Sequence, residues 1–333
     1  MNFIVDTSDT YYLENIYSDI DELVNKYNKI LFKEVIGKSV EGRNIIALKL
    51  SSNNKPKPSI LFTGGIHARE DFSVMLVMKM LDYYCVYYNE GKLFDDYDVN
   101  KIVNTVDMYF IPTANPDGLN IVHHGIESSS NYEKLKEMKI WGEDHTYWKA
   151  NANGVDLNKN FDDGNWEIRT CVPGTDIPCS DRFKGFEPNS EPETKALINF
   201  CNSHDFSMMI AYHCSGNCVF WADSGTHKMF NKLDDKIMNE FSSKYIYRKT
   251  KVSEDPKTYG CGFENYFRAK LKRPGFCIEL SPFVEGGKQH ADSLFDELVW
   301  QHAKSTGLFF AEKTKELYDE IYRDVKKYAA LTK

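Results

Sequence analysis

Four short apolar runs constrain the fold most strongly: PSILFTGG (58–65), VDMYFIP (106–112), SMMIAYH (207–213) and GFCIELS (275–281). Each is too short for a helix and too continuously apolar for a strand with one wet face. Strands of that kind are buried on both sides, which is the habit of a largely parallel sheet covered by helices. Helical patterns fall between them. SVMLVMKMLDYYCVYY is a long apolar helix, EPETKALINFCNSH opens with acids and Pro192, and KMFNKLDDKIMNEFSSKY is amphipathic. Upstream, LENIYSDIDELVNKYN has helical spacing, and LFKEVIGKSVEGRNIIALKL reads as two β-rich runs turning at Gly37 and Gly42. The segment from about Ser293 towards the C-terminus has apolar residues every three or four positions and is expected to be helical through 333. Strands alternating with helices imply an α/β domain with a mixed or parallel sheet. No repeat or linker divides the 333 residues, so one domain spanning 1–333 is expected.

The four runs share a second property: polar residues stand at or just beyond their ends. His67 and Glu70 follow the first in GGIHARED, and Asn115 and Asp117 follow the second in TANPDG. His213 closes the third, and Glu279 lies near the end of the fourth. In open α/β sheets ligands bind beyond the carboxyl ends of the strands, so these residues are candidates to meet. A catalytic zinc takes three protein ligands and leaves one position for water. His67, Glu70 and His213 can supply them, for one Zn2+ per chain. The ion would stay net positive and acidify its water. A further carboxylate must then move the proton, and Glu279, an acid inside an apolar strand, suits that task because burial raises its pKa. A second pair with the same spacing, His124 and Glu127, follows no strand and is expected in a surface loop. Residues 120–165 read as a long irregular excursion over one face.

Net charge is −8, which gives no nucleic-acid footprint. The N-terminus MNFIVDTSDT lacks a basic start and an apolar core, so no signal peptide is expected and a cytoplasmic setting follows. No apolar run approaches the roughly 20 residues of a membrane span. Eight scattered cysteines do not make a disulfide framework. Cys171 and Cys179, which bracket a Pro/Gly loop, are the one pair with a reason to bridge in an oxidising setting.

The set GGIHARE, NPDG, GVDLNKNF, YHCSGN and GFCIELS, in this order, resembles the M14 (funnelin) zinc carboxypeptidases from about residue 10 to about residue 310. The resemblance implies one α/β domain with a central mixed, mainly parallel eight-stranded sheet flanked by helices on both faces. It also implies that His67, Glu70 and His213 bind zinc and that Glu279 is the general base. Arg69 would polarise the scissile carbonyl or hold the substrate backbone, and Asn158 would bind a substrate carboxylate. Three positions depart from the family pattern, the third being the family's mobile tyrosine, whose register position holds Lys257, two residues before Tyr259. Lys159 replaces the carboxylate-binding arginine after that asparagine, and Lys149 in YWKAN replaces the arginine that stabilises the oxyanion. Lysine keeps the charge and loses the two-pronged fork. Tyr259 is the candidate for the family's mobile tyrosine, and Glu264 falls where the side-chain pocket is lined. The stretches VIGKSVEGRNIIALKL, WKANANGVDLNKNF, YHCSGNCVFW and RPGFCIELSPF are similar to a bacterial branch that includes γ-D-glutamyl-meso-diaminopimelate peptidases. A peptide or muropeptide substrate follows. The alternatives are a metallocarboxypeptidase trimming ordinary peptides and a binding module that has lost activity.

Overall fold

The structure, a computed structural model, describes residues 2–322 apart from Asn54, Met229 and Lys288. Its strands are β1 (Leu31–Lys38), β2 (Asn44–Leu50), β3 (Ser59–Thr63), the short ribbon β4 (Leu93–Phe94) and β5 (Tyr97–Asp98), β6 (Asp107–Ile111), β7 (Phe206–Cys214), β8 (Cys218–Phe220), β9 (Arg248–Thr250) and β10 (Gly275–Leu280). Eight of them form one mixed sheet in the order β1-β2-β6-β3-β7-β10-β8-β9. The four neighbours β6, β3, β7 and β10 run parallel. They are the four apolar runs, and all four end at the same edge of the sheet.

Alternation along these strands fills two cores. Ile60 and Phe62 of β3, Met108 and Phe110 of β6, and Met208, Ile210 and Tyr212 of β7 face one cluster. Leu61, Tyr109, Ile111, Met209 and Ala211 face the other. The middle of each strand is apolar because neither face meets water, and each such side chain contributes roughly 1.5–3 kcal/mol on burial. Helices α1 (Leu13–Lys26), α2 (Asp71–Glu90) and α3 (Val99–Thr105) cover the first face. The chain then forms α4 (Pro116–His124) and α5 (Tyr132–Glu137). Helix α6 (Pro192–Ser203) covers the second face through Ala196, Leu197 and Phe200. Helix α7 (Asn231–Lys244) and a last helix, Thr306–Leu317, return to the first face, and α8 (Phe263–Tyr266) joins the second.

Helix α2 is apolar nearly all round and buried from Phe72 to Asp82, with Gly91 closing it in the left-handed conformation. Its buried Asp82 accepts the N–H groups of Ile4 and Val5 at 2.6 and 2.9 Å, which ties down the N-terminal strand of chain.

Three expectations change in detail. His124 closes α4 instead of lying in a loop, 3.6 Å from Glu14 on α1, and Glu127 sits in the turn that follows. Past α4 the excursion is irregular, as expected, except for α5 and single turns. The C-terminal segment is helical as expected, in successive short helical pieces from Asp292 to Ala303 and then over Thr306–Leu317 and Tyr318–Tyr322, and residues 323–333 of that expectation lie outside the described residues. All eight cysteines, Cys171 and Cys179 included, are free thiols. Among the described residues no helix is long and apolar enough to cross a membrane.

Candidate metal centre

Two glycines shape the loop that carries the first two ligands. The Gly64 N–H donates to the Ile111 carbonyl and the Gly65 N–H to Ser73 Oγ, both at 2.9 Å. A Cβ on Gly64 would lie 2.6 Å from the Ser73 carbonyl oxygen and 2.9 Å from that of Pro112, and Gly65 has φ +56°. Any other residue pair would push β3, β6 and α2 apart. The loop ends where Ser73 Oγ donates to the Glu70 carbonyl at 2.6 Å, in the first turn of α2. Strand β7 runs beside β3 and brings His213 to the same end.

The three side chains converge. Nδ1 of His67 lies 2.8 Å from Glu70 Oε1, Nδ1 of His213 lies 2.9 Å from Glu70 Oε2, and the two Nδ1 atoms are 3.0 Å apart. One ligand atom from each falls within 4.8 Å of the others, and all three residues are buried. Two imidazole nitrogens and a carboxylate oxygen aimed at one point are a donor set that fits zinc with a coordination position left over. On its far side, His67 Nε2 meets Asp156 Oδ1 at 3.1 Å, a carboxylate that orients the ring and fixes which nitrogen points inward. The Cys214 N–H donates to Glu70 Oε2 at 3.1 Å.

The acids around this point differ in their titration. Burial opposes the charge on Glu70, yet His67 and His213 hold its carboxyl well below the usual range. Asp156 is likewise held low against burial, by Lys159 and His67. Glu279 on β10 stands opposite His213 on one side and Cys218 on the other. Its carboxyl is pushed up to about 7, chiefly by burial, with His213 opposing and Glu70 adding to the rise. Lys149 keeps its proton more firmly than usual: burial works against the charge, and Asp181, Asp156 and Glu70 outweigh it.

The remaining sequence candidates divide. Lys149 Nζ lies 3.9 Å from Glu70 Oε1, at the rim of the centre. The Arg69 guanidinium donates to the Tyr147 carbonyl at 3.0 Å and reaches Asp181 at 3.6 Å. Asn158 accepts the Phe263 N–H at 2.8 Å through Oδ1. Lys159 is tied to Asp156 Oδ2 at 2.9 Å. Glu264 is buried, and its Oε2 has no hydrogen-bond partner among the described residues. Tyr259 turns its hydroxyl inward, where burial and the charge of Glu264 raise the phenol. Asn115 and Asp117 do not reach the centre. Asn115 caps α4 and donates to the Ala150 carbonyl, and Asp117 binds Ser39, Arg43 and the Glu41 N–H. Sequence reasoning passed over Asp156 and Asp181. The first stands in the same GVDLNKNF stretch as Asn158 and was findable there. The second has no periodic signal around it.

Residues 16–282 match the peptidase M14 family, described as zinc carboxypeptidase. An uncharacterized protein, YqgT of Bacillus subtilis, is 28% identical over 310 residues, covering 90% of this chain and 79% of its own. The gamma-D-glutamyl-L-diamino acid endopeptidase 1 of Lysinibacillus sphaericus is 26% identical over 312 residues, 92% of this chain and 73% of its own. Among solved structures, bovine thrombin-activatable fibrinolysis inhibitor in complex with tick carboxypeptidase inhibitor superposes with a TM-score of 0.71 at 20% identity, over 95% of this chain and 99% of that one. With a family match over most of its length and a buried two-histidine, one-glutamate donor set at the strand ends, the chain belongs to the M14 zinc carboxypeptidase family and is a zinc metallopeptidase.

Proposed function

We propose that the enzyme hydrolyses the γ-D-glutamyl-diaminopimelate bond of peptidoglycan stem peptides. The observation that carries this reading is Glu264: a buried carboxylate with one oxygen unpartnered asks for a cation. A Cβ on Gly262 would fall 2.8 Å from Glu264 Oε2 and 3.0 Å from Asn158 Nδ2, so acid and amide both lie against the Gly262 backbone. The side-chain ammonium of diaminopimelate would complete the acid, and a carboxylate of the same residue would take the amide N–H and Lys159. The name of the Lysinibacillus relative, a γ-D-glutamyl-L-diamino acid endopeptidase, supports the same substrate class.

Zinc held by His67, Glu70 and His213 would supply a Lewis acid for the attacking water and the scissile carbonyl. Glu279 takes the proton from that water and delivers it to the leaving amine, a role suited to a carboxyl near 7. Lys149 sets a fixed positive charge where the carbonyl oxygen turns anionic, with Arg69 behind it. Asn158 and Lys159 receive a substrate carboxylate, and Tyr259 closes the side-chain pocket beside Glu264.

A second reading, removal of C-terminal residues from ordinary peptides, is favoured by the same Asn158–Lys159 pair, which suits any free terminal carboxylate. Mass spectrometry of products decides between them. Zinc-loaded protein is incubated with L-Ala-γ-D-Glu-meso-diaminopimelate and, separately, with ordinary peptides, with Glu279→Gln as blank. Free diaminopimelate from the first alone is the expected result. Trimming of the ordinary peptides alone would overturn the cell-wall assignment.

A further inference from the structure

Beside the metal centre opens a cleft of about 300 Å³ whose wall carries Lys159, Arg169, Arg182, Lys184 and Lys257 and no acid. That is the size of a site for a small ligand, and five cations gather there in a chain whose net charge is −8. Their partners leave the charge largely uncancelled. Arg169 donates to the Gly260 carbonyl at 2.9 Å, and Lys184 donates to the Trp166 and Arg169 carbonyls at 2.8 Å. Neither bond neutralises anything. Among the described residues Lys257 forms no ion pair. The other two cations share their acids with the centre. Lys159 divides Asp156 with His67, and Arg182, at 3.8 Å, divides Asp181 with Arg69. Those shared acids also fix the place of the cleft: it adjoins the metal centre through Asp156 and Asp181.

We propose that this cleft is an anion-binding subsite whose Arg169, Arg182, Lys184 and Lys257 hold a second carboxylate of the peptide, beyond the one taken by Asn158 and Lys159 at its edge, and so selects substrates with two or more carboxylates near the cleaved bond. Carboxylates match the forks of Arg169 and Arg182, and a row of five cations with only two acids beside it, both of them shared, is stabilised when an anion enters. The inference deepens the stem-peptide reading and rests on it for the natural substrate. Its test needs only some peptide that the enzyme cleaves.

Two measurements on the zinc-loaded full chain make the test. The first compares kcat/KM for a cleaved peptide with that for the same peptide in which one carboxylate near the scissile bond is an amide. The acid is expected to be preferred, with the preference shrinking as salt is raised and falling about tenfold in Lys257→Ala and in Arg182→Gln, the scale of one lost charge-assisted hydrogen bond. A lesion of folding alone would lower both substrates alike and leave the ratio unchanged, and that result would overturn the proposal. The second uses Cys171, which lines the cleft and is the one cysteine of the eight that is not buried. In Glu279→Gln protein, millimolar L-Ala-γ-D-Glu-meso-diaminopimelate should slow alkylation of Cys171 by iodoacetamide several-fold, and L-Ala-L-Ala amide should not. Equal protection by both, or protection by pyrophosphate but not by the acidic peptide, would overturn it. Absence of diaminopimelate release together with intact acid-over-amide selectivity would sink only the stem-peptide reading.

Discussion

The loops after β3 and β6 leave the sheet as neighbours, and each buries polar side chains at the end of a parallel strand. They use them in opposite ways. After β6, Asn115 and Asp117 find their complements inside the protein: Asn115 Oδ1 accepts the Gly118 N–H, its amide donates to Ala150, and Asp117 takes a hydroxyl, a backbone N–H and the Arg43 guanidinium. After β3, His67 and Glu70 turn acceptor atoms towards a third acceptor on His213. A closed set of donors and acceptors builds a scaffold, whereas converging acceptors describe the shape of a cation. The closed side has a cost of its own. Glu193, at the start of α6, takes the Val40 N–H and an Asn151 amide hydrogen, yet burial pushes its carboxyl up to about 7.

This contrast can be broken by experiment. The largest effect is expected for His67→Ala, which should lower bound zinc from one per chain to almost none by metal analysis, while Asp117→Asn in the adjacent loop keeps it. Zinc retained in the first, or lost in the second, would erase the distinction between the two loops. Next comes Glu279→Gln. Its zinc content should be that of the parent, and its turnover lower by about 10²–10⁴-fold, the range for a lost general base. Asp156→Asn probes the layer behind the ligands. Its zinc affinity, measured against a competing chelator, should drop by about 10–100-fold, and an unchanged affinity would make the His67–Asp156 contact incidental. The smallest effect belongs to the closed side. Folded Glu193 keeps its proton up to about 7, and the unfolded chain loses it near 4.5. The folded state therefore binds more protons between these values, and stability falls as pH rises across that window, by roughly 3 kcal/mol. Urea unfolding at pH 5 and pH 8 should show this decline in the parent and a flatter response in Glu193→Gln. An identical decline in both would assign the pH dependence elsewhere.

Much of this was readable beforehand for a physical reason. Strands with both faces buried write their burial directly into the sequence, and the strand-end rule then locates the site, so β3, β6, β7 and β10 and the gathering of His67, Glu70, His213 and Glu279 could be read together. The same rule brought in Asn115 and Asp117, because a strand end says nothing about whether a polar group is already satisfied. Strands β8 and β9, of three residues each, are too short to show a period. Asp156 and Asp181 come from irregular chain, and His67 meets Asp156 across a separation of 89 residues. No local pattern records such contacts.

The pairing of Glu279 with His213 and Cys218 in adjacent strands also sets a standard of assembly. Successive side chains of a strand point to opposite faces. A slip of β10 by one residue would set Ile278 or Leu280 beside His213 and turn the carboxyl away. Because β10 supplies none of the proposed zinc ligands, such a molecule could still load its metal. Turnover per bound zinc, not zinc content, would then count the correctly built molecules in a preparation.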